Sequence, residues 1–211
     1  LGLLAKGYRD VIQEYSPDIT INGECKALKL SLKSLTPSML IHLLPTKLSN
    51  AQLGILYAAL QHSQDVDFDE LITNIDAEDN NLKYTIINII EYIKKLGIFS
   101  NNPTALQELI QSGKASIVNL KGIPTEVSEI VVYKLLKDLF EARKRVNVPP
   151  FFLVIEEAHN FCPERGFGEA KSSSIIRQIA SEGRKFGLGL CIISQRPARV
   201  DKTILSQCST Q

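Results

Sequence analysis

The 211-residue chain is 44% hydrophobic and 22% charged, a composition that can bury a core and excludes a disordered chain. Its formal net charge of +1 gives no overall basic field, although a nucleic-acid-binding surface needs basic residues on one face only. The apolar runs are too short to cross a membrane and the four cysteines show no paired spacing, so we expect a cytoplasmic protein with reduced thiols and no membrane partner.

The first 35 residues contain few strong structural signals, and we assign residues 1–35 to the core domain. Residues 8–15 are interpreted as a short helix that ends at the Ser16-Pro17-Asp18 turn. Residues 26–32 alternate between polar and apolar positions, which predicts a half-buried strand.

Residues 36–112 have helical periodicity and are predicted to form an inserted α-helical subdomain. Thr36 followed by proline, Ser49 and Asp67 are typical helix starts, and Gly97 suits the end of a helix over residues 79–96. The region carries no catalytic constellation. Its apolar stripes are therefore assigned to a core, with a partner-facing surface as the alternative.

Residues 113–211 return to the core domain, with a predicted strand over residues 115–120 and a long amphipathic helix capped by Thr125 and ending at Arg145. The basic cluster Arg143-Lys144-Arg145 closes that helix and complements its dipole. A DNA-binding patch is the alternative interpretation of the cluster.

An unbroken apolar run over residues 151–155 stops on two carboxylates, Glu156 and Glu157. Such a run suits a strand buried on both faces of a parallel sheet, and ligands of open α/β sheets bind beyond the carboxyl ends of strands. One acid there can hold Mg²⁺ through its water shell, and the second can polarise the water that attacks a nucleoside triphosphate. The alternative is an ordinary buried strand followed by two solvated acids.

A helical stretch over residues 172–185 leads into a second apolar run that ends on Gln195. The order predicts a βαβ unit, which brings Gln195 to the same sheet edge as the acids, where it can orient water or contact a γ-phosphate. His159 and Cys162 have the spacing of a metal pair, but no second pair accompanies them. We therefore interpret His159 as a packed side chain at a helix start.

Three segments, VIEEAHNFCPE, IASEGRKFGLGL and SQRPARVDKTILSQCSTQ, resemble the HerA family of archaeal hexameric DNA translocases, in the HerA–FtsK branch of P-loop ATPases. The resemblance is carried by residues 114–211. The family usually has Asp-Glu-Ala-His where this chain has Glu156-Glu157-Ala158-His159, so the charge is kept and the first acid is one methylene longer.

The resemblance implies a RecA-like α/β fold with a mostly parallel sheet. It also implies a homohexamer that uses ATP and Mg²⁺ to translocate along double-stranded DNA, in DNA end processing and double-strand break repair beside a partner nuclease. We assign Glu157 as the water-orienting acid and Glu156 as the acid on the Mg²⁺ side. Arg184 is the candidate arginine finger toward a neighbouring subunit, with a helix-capping role as the alternative and Arg177 as the second candidate.

The sequence lacks the phosphate-binding motif G-x-x-x-x-G-K-[ST], because residues 112–116 (SGKAS) have no first glycine and precede a strand. We therefore expect a fragment whose phosphate loop lies upstream and which is inactive as isolated. Two alternatives remain at this point. One is a related ring ATPase motor for conjugation or packaging, and the other is a non-catalytic oligomerisation module.

Overall fold

The computed structural model describes residues 11–33, 35–61 and 67–208 of the chain. Strands and helices are interspersed along these residues. β1 lies between β2 and β5, β3 pairs with β4, and β6 pairs with β7, all in parallel. The predicted α/β class with parallel strands is therefore confirmed. The strands are β1 (Ile12–Ser16), β2 (Lys26–Ala27), β3 (Leu30–Ser31), β4 (Phe99–Ser100), β5 (Ala115–Val118), β6 (Phe151–Ile155) and β7 (Leu188–Ile192).

The helices pack around these strands and share a hydrophobic core with them. Short 3₁₀ turns cover Ala158–Asn160, Gly183–Phe186 and Pro197–Arg199. Among the described residues, no helix is both long and apolar enough to cross a bilayer. The helices are α1 (Pro37–Leu43), α2 (Asn50–Gln61), α3 (Phe68–Asp76), α4 (Lys83–Lys95), α5 (Leu106–Leu109), α6 (Thr125–Lys144), α7 (Ser173–Glu182) and α8 (Lys202–Gln207).

The beginning of the described chain is a strand where the sequence predicted a helix. Residues 12–15 belong to β1, so the helix prediction is wrong there, and residues 8–10 lie outside the described residues. The reason is tertiary, because pairing with β2 and β5 on either side satisfies the backbone of β1. The strand predicted over residues 26–32 is divided between β2 and β3, which pair with different partners.

The helix-capping residues predicted within residues 36–112 are confirmed, whereas the predicted cap Thr125 is wrong, because it is the first residue of α6 and makes no capping hydrogen bond among the described residues. Thr36 Oγ1 accepts a hydrogen bond from the α1 backbone, and Asp67 accepts two at the start of α3. Gly97 follows α4 with a φ of 63°, as a helix-ending glycine should. The region is not purely helical, since it contains β4, which pairs with β3. The exact bounds of an inserted subdomain stay a prediction.

The strand that leads to the acids is covered on one face. Ile155 is buried, and Phe151 and Leu153 pack partly against the core. Phe152 and Val154 point to the opposite face of the strand and are 67% and 50% exposed. The expectation of a strand buried on both faces is therefore wrong for this structure, because the core packs against only one of them.

Candidate active site

The two candidate acids come directly after β6, at the carboxyl edge of the β6–β7 pair. The ladder pairs Ile155 with Ile192. It continues through Ile193 N, which donates to Ile155 O at 2.9 Å, and Ala158 N, which donates to Ile193 O at 3.0 Å. The backbone therefore fixes the segment after β6 against the segment after β7, at one edge.

Glu157 has a left-handed backbone, with φ 48° and ψ 42°. For a residue with a side chain this conformation costs about 1–2 kcal/mol. The surrounding structure holds it there, because Ala158 N donates to Ile193 O on one side and Asn160 N donates to Glu157 O at 2.9 Å on the other. Strained backbone that is fixed in this way is concentrated at functional sites.

His159 links Glu157 to the end of the neighbouring strand. Its Nδ1 lies 3.3 Å from Glu157 Oε2 and 3.1 Å from Ser194 Oγ. The His159 side chain is 12% exposed, whereas that of Glu157 is 48% exposed. The nearly buried imidazole of His159 thus contacts one oxygen of the Glu157 carboxylate. The carboxylate is half-exposed and is therefore still accessible to solvent or a ligand. The sequence indicated that His159 is packed but missed its contacts with Glu157 and Ser194. The only sequence feature that could have indicated Ser194 as a site residue was its position directly before Gln195.

Glu156 and Gln195 are both exposed at this same edge. Gln195 lies in the bend after β7, next to Ser194, whose hydroxyl is within hydrogen-bond distance of His159. The parallel strands thus bring the acid pair and the amide to one edge, as the βαβ interpretation predicted. The individual roles of Glu156, Glu157 and Gln195 stay predictions.

Arg184 lies at the opposite edge. It is exposed in the 3₁₀ turn Gly183–Phe186, just before β7 begins. We call the carboxyl edge of the β6–β7 pair, where Glu156, Glu157 and Gln195 lie, the acid edge. The five residues of β7 separate the Arg184 turn from this edge, a distance of about 16 Å along the strand. Arg184 of the same chain is therefore too far away to meet a phosphate held beside Glu157.

Arg177, the second candidate, is engaged inside the fold. Its Nε donates to Asp201 Oδ2 at 2.7 Å, and the same carboxylate caps α8 through Thr203 N and Ile204 N. Burial acts to raise the pKa of Asp201. The hydrogen bonds from Arg177 and the amides outweigh burial and hold that pKa below its ordinary value. Arg177 therefore has a structural role, because its hydrogen bond to Asp201 fixes the segment after β7.

The side chains at the acid edge supply only part of the ligands that a Mg²⁺ ion needs. Within the described residues, no group of three or more His, Cys, Asp or Glu side chains is close enough to hold a metal ion. Mg²⁺ usually binds through one or two carboxylates together with phosphate oxygens and waters, so Glu156 and Glu157 suit it in the presence of a nucleotide. A site of this kind holds its metal together with the substrate.

Residues 3–139 match the family model described as "Helicase HerA, central domain". Probable helicase MJ1565 of Methanocaldococcus jannaschii is 38% identical over 101 residues, covering 44% of this chain and 19% of that protein. The probable DNA double-strand break repair helicase HerA of the same organism is 29% identical over 171 residues, covering 65% of this chain and 33% of that protein. The chain therefore spans a fifth to a third of these relatives.

The fold is also similar to that of VirB4 of Thermoanaerobacter pseudethanolicus, with a TM-score of 0.60 at 13% sequence identity. The similarity covers 94% of this chain and 67% of that chain. The structural similarity covers nearly the whole chain, whereas the family-model match ends at residue 139, before β6. The family-model match therefore concerns the family of the chain and does not include Glu156, Glu157 or Gln195. The description of the acid edge depends on the geometry of β6, β7 and the residues that follow them.

Proposed function

The chain belongs to the HerA helicase central-domain family, and we propose that it is part of an ATP-driven motor that translocates along double-stranded DNA. The relatives named as double-strand break repair helicases support a role in processing broken DNA ends. On this proposal the working protein is a homohexamer that acts beside a partner nuclease, with ATP and Mg²⁺ as substrate and cofactor.

One observation carries the catalytic part of the proposal. Glu157 is held in a strained backbone conformation and contacted by His159, at the edge where β6 and β7 both end. Phosphoryl transfer depends mostly on positioning and electrostatics, so a carboxylate with a fixed direction is what the attacking water requires. Glu157 orients that water, Glu156 holds Mg²⁺ through its water shell, and Gln195 senses the γ-phosphate.

The phosphate cradle comes from outside these 211 residues. They contain no G-x-x-x-x-G-K-[ST] motif, and they span a fifth to a third of the matched helicases. Without the amide cradle and its lysine, the β- and γ-phosphates have few binding groups. The isolated chain therefore does not hydrolyse ATP, whereas the full-length protein does.

Arg184 acts in trans. It lies on the edge opposite Glu157 and is exposed, so it is placed to reach a nucleotide held by a neighbouring subunit of a ring. A guanidinium is always charged and forks onto phosphate oxygens, which suits charge that develops during transfer.

The test is Glu157→Gln in the full-length protein. The variant is expected to bind ATP normally but to lose turnover by about 10²–10³-fold, because the amide cannot polarise water as the carboxylate does. Binding is measured with a fluorescent nucleotide and turnover by phosphate release. The control variant Glu24→Gln makes the same change at an exposed acid near the start of the described chain. It should leave ATP binding and turnover unchanged. Near-normal turnover in Glu157→Gln contradicts the assignment.

A further inference from the structure

Two loops that follow the acid strand and the Gln195 strand are joined into one surface. We call residues 163–169 the acid-side loop and residues 195–202 the glutamine-side loop. Pro163 and Val200 form an antiparallel bridge, and Glu164 N donates to Arg199 O at 2.8 Å. These backbone contacts join the two loops, which lie side by side beyond the carboxyl ends of β6 and β7.

An aromatic ring stands at the tip of the acid-side loop. Phe167 lies between Gly166, with a φ of 93°, and Gly168, with a φ of 135°, and it is 57% exposed. The guanidinium carbon of Arg199 lies 5.4 Å from the centre of the Phe167 ring, within the range of a cation–π contact. The ring thus serves as a platform for a cation from the other loop.

The exposed charge of the two loops is predominantly basic, with Glu169 as their one exposed acid. Arg165, Arg196 and Arg199 are all exposed, and the structure gives none of them a salt bridge within the described residues. The other two acids of the loops, Glu164 and Asp201, each accept a hydrogen bond from within the fold. Glu164 accepts a hydrogen bond from Lys202 N at 2.7 Å, and Asp201 accepts from Arg177.

We propose that the acid-side and glutamine-side loops contact the phosphate backbone of duplex DNA. The proposal rests on the DNA-translocase function proposed above. Arginine side chains fork onto phosphate oxygens, and the cation–π contact with Phe167 favours a position of the Arg199 guanidinium at this surface. The phosphate contacts are independent of base sequence, as a protein that moves along DNA requires.

The surface is connected to the acid edge by one hydroxyl group. Ser194 Oγ accepts a hydrogen bond from Arg196 N at 3.0 Å and lies 3.1 Å from His159 Nδ1. His159 in turn contacts Glu157. A phosphate bound by the glutamine-side loop therefore acts on the backbone that also fixes the position of the water-orienting acid.

The other basic cluster, at the end of α6, is mostly used by the fold. Arg143 Nη1 donates to Val148 O at 3.1 Å. Lys144 pairs with Glu141 at 3.2 Å and lies 4.4 Å from the centre of the Phe140 ring. These contacts favour the loop surface over the helix end as the DNA contact. Arg145 remains exposed on that helix end and is a matched control.

The experiment measures binding of the full-length protein to a fluorescent DNA duplex by anisotropy over a series of salt concentrations. Arg196→Ala and Arg199→Ala are each expected to reduce the slope of log K against log salt by about 0.9, the value for one lost phosphate contact. Phe167→Ala should weaken binding in the wild-type background and have little further effect in the Arg199→Ala background, because it acts through that side chain. Arg145→Ala should leave the slope unchanged.

The outcomes separate the surface from the proposed function. If the wild-type protein binds duplex DNA but the Arg196→Ala and Arg199→Ala slopes equal its slope, the loop surface is wrong while the translocase function stands. If these variants keep the slope but fail to assemble into the oligomer, the surface is instead a subunit contact. If the wild-type protein does not bind duplex DNA at all, the proposed function fails, and the surface assignment with it. Unchanged thermal unfolding midpoints show that the variants are folded.

Discussion

Replacing Asp201 by alanine tests how the segment beside the acid edge is fixed. The Asp201 side chain is 7% exposed and accepts a hydrogen bond from Arg177 Nε at 2.7 Å. It also caps α8, accepting from Thr203 N at 2.8 Å and from Ile204 N at 3.3 Å. The substitution removes a helix cap and a charge-assisted hydrogen bond in one step.

The expected loss in the free energy of unfolding has two parts. A lost N-cap costs about 1 kcal/mol. A hydrogen bond between charged groups contributes about 1.5–3 kcal/mol when buried, and the lower end applies because Arg177 is 43% exposed and water replaces its lost partner. The sum is about 2–3 kcal/mol, which lowers Tm by roughly 4–12 °C for a chain of this length.

Thermal unfolding followed by circular dichroism measures this loss. The matched control is Asp67→Ala, because Asp67 caps α3 through Asp69 N at 2.9 Å and Glu70 N at 3.1 Å, with no arginine partner among the described hydrogen bonds. That variant should lose about 1 kcal/mol, the cap alone. Equal losses in Asp67→Ala and Asp201→Ala would refute the contribution assigned to Arg177.

The same carboxylate predicts how stability depends on pH. The pKa of Asp201 in the folded chain lies below its ordinary value of 3.8. Its contribution to stability is therefore complete above the unfolded pKa, and it is lost as the pH falls through the lower folded pKa. Asp201→Asn should unfold at lower Tm near neutral pH but lose less of its stability than the wild type on acidification.

Two further predictions concern Arg184 and Gly183. Doping Arg184→Ala subunits into hexamers of Glu157→Gln subunits should partly restore ATP turnover at mixed interfaces, since an arginine finger contributes about 10³–10⁵ in rate. Full activity in the Arg184→Ala homohexamer would leave only a capping role. Gly183→Ala should lower Tm despite a helical φ of −54°, because the added Cβ would lie 2.8 Å from a β7 carbonyl oxygen. Gly54→Ala, with nothing within 4 Å, should instead gain up to about 1 kcal/mol.

The elements that could be predicted from the sequence are those in which local pattern and tertiary environment agree. The apolar run of β6 and the periodic helix α7 are examples, and both match the structure. β1 is the opposite case. It contains Gln13 and Glu14 among its five residues, so its sequence shows no apolar run, and its strand character comes from pairing with distant segments.

A charged residue shows the same limit in a helix. Lys134 is fully buried in α6 and paired with Asp138 one turn along the helix. Periodicity predicts which apolar residues of such a helix face the core. It cannot indicate that the helix is covered widely enough to bury a lysine as well, because that depends on the elements packed around it.

At the candidate site, the sequence predicted the positions of the acids and Gln195 but missed the contacts of His159 with Glu157 and Ser194. Strand ends locate an edge, so Glu157 and Gln195 could be placed together from the order of elements alone. His159, which contacts Ser194, follows the left-handed turn at Glu157 by two residues. Glutamate rarely adopts that conformation, so no residue type at the position signals the turn.

The arrangement of charges argues that the motor proposed here works only as an assembly. The acid edge of one chain holds Glu157 and the two basic loops, whereas Arg184 lies about 16 Å away on the opposite edge. A single subunit thus cannot bring its own Arg184 to a nucleotide beside its own Glu157. In the homohexamer that we propose, the Arg184 edge of one subunit meets the acid edge of the next, so hydrolysis would require a neighbouring subunit. Because Ser194 contacts both His159 and the glutamine-side loop, we also expect the proposed hydrolysis to respond to bound DNA.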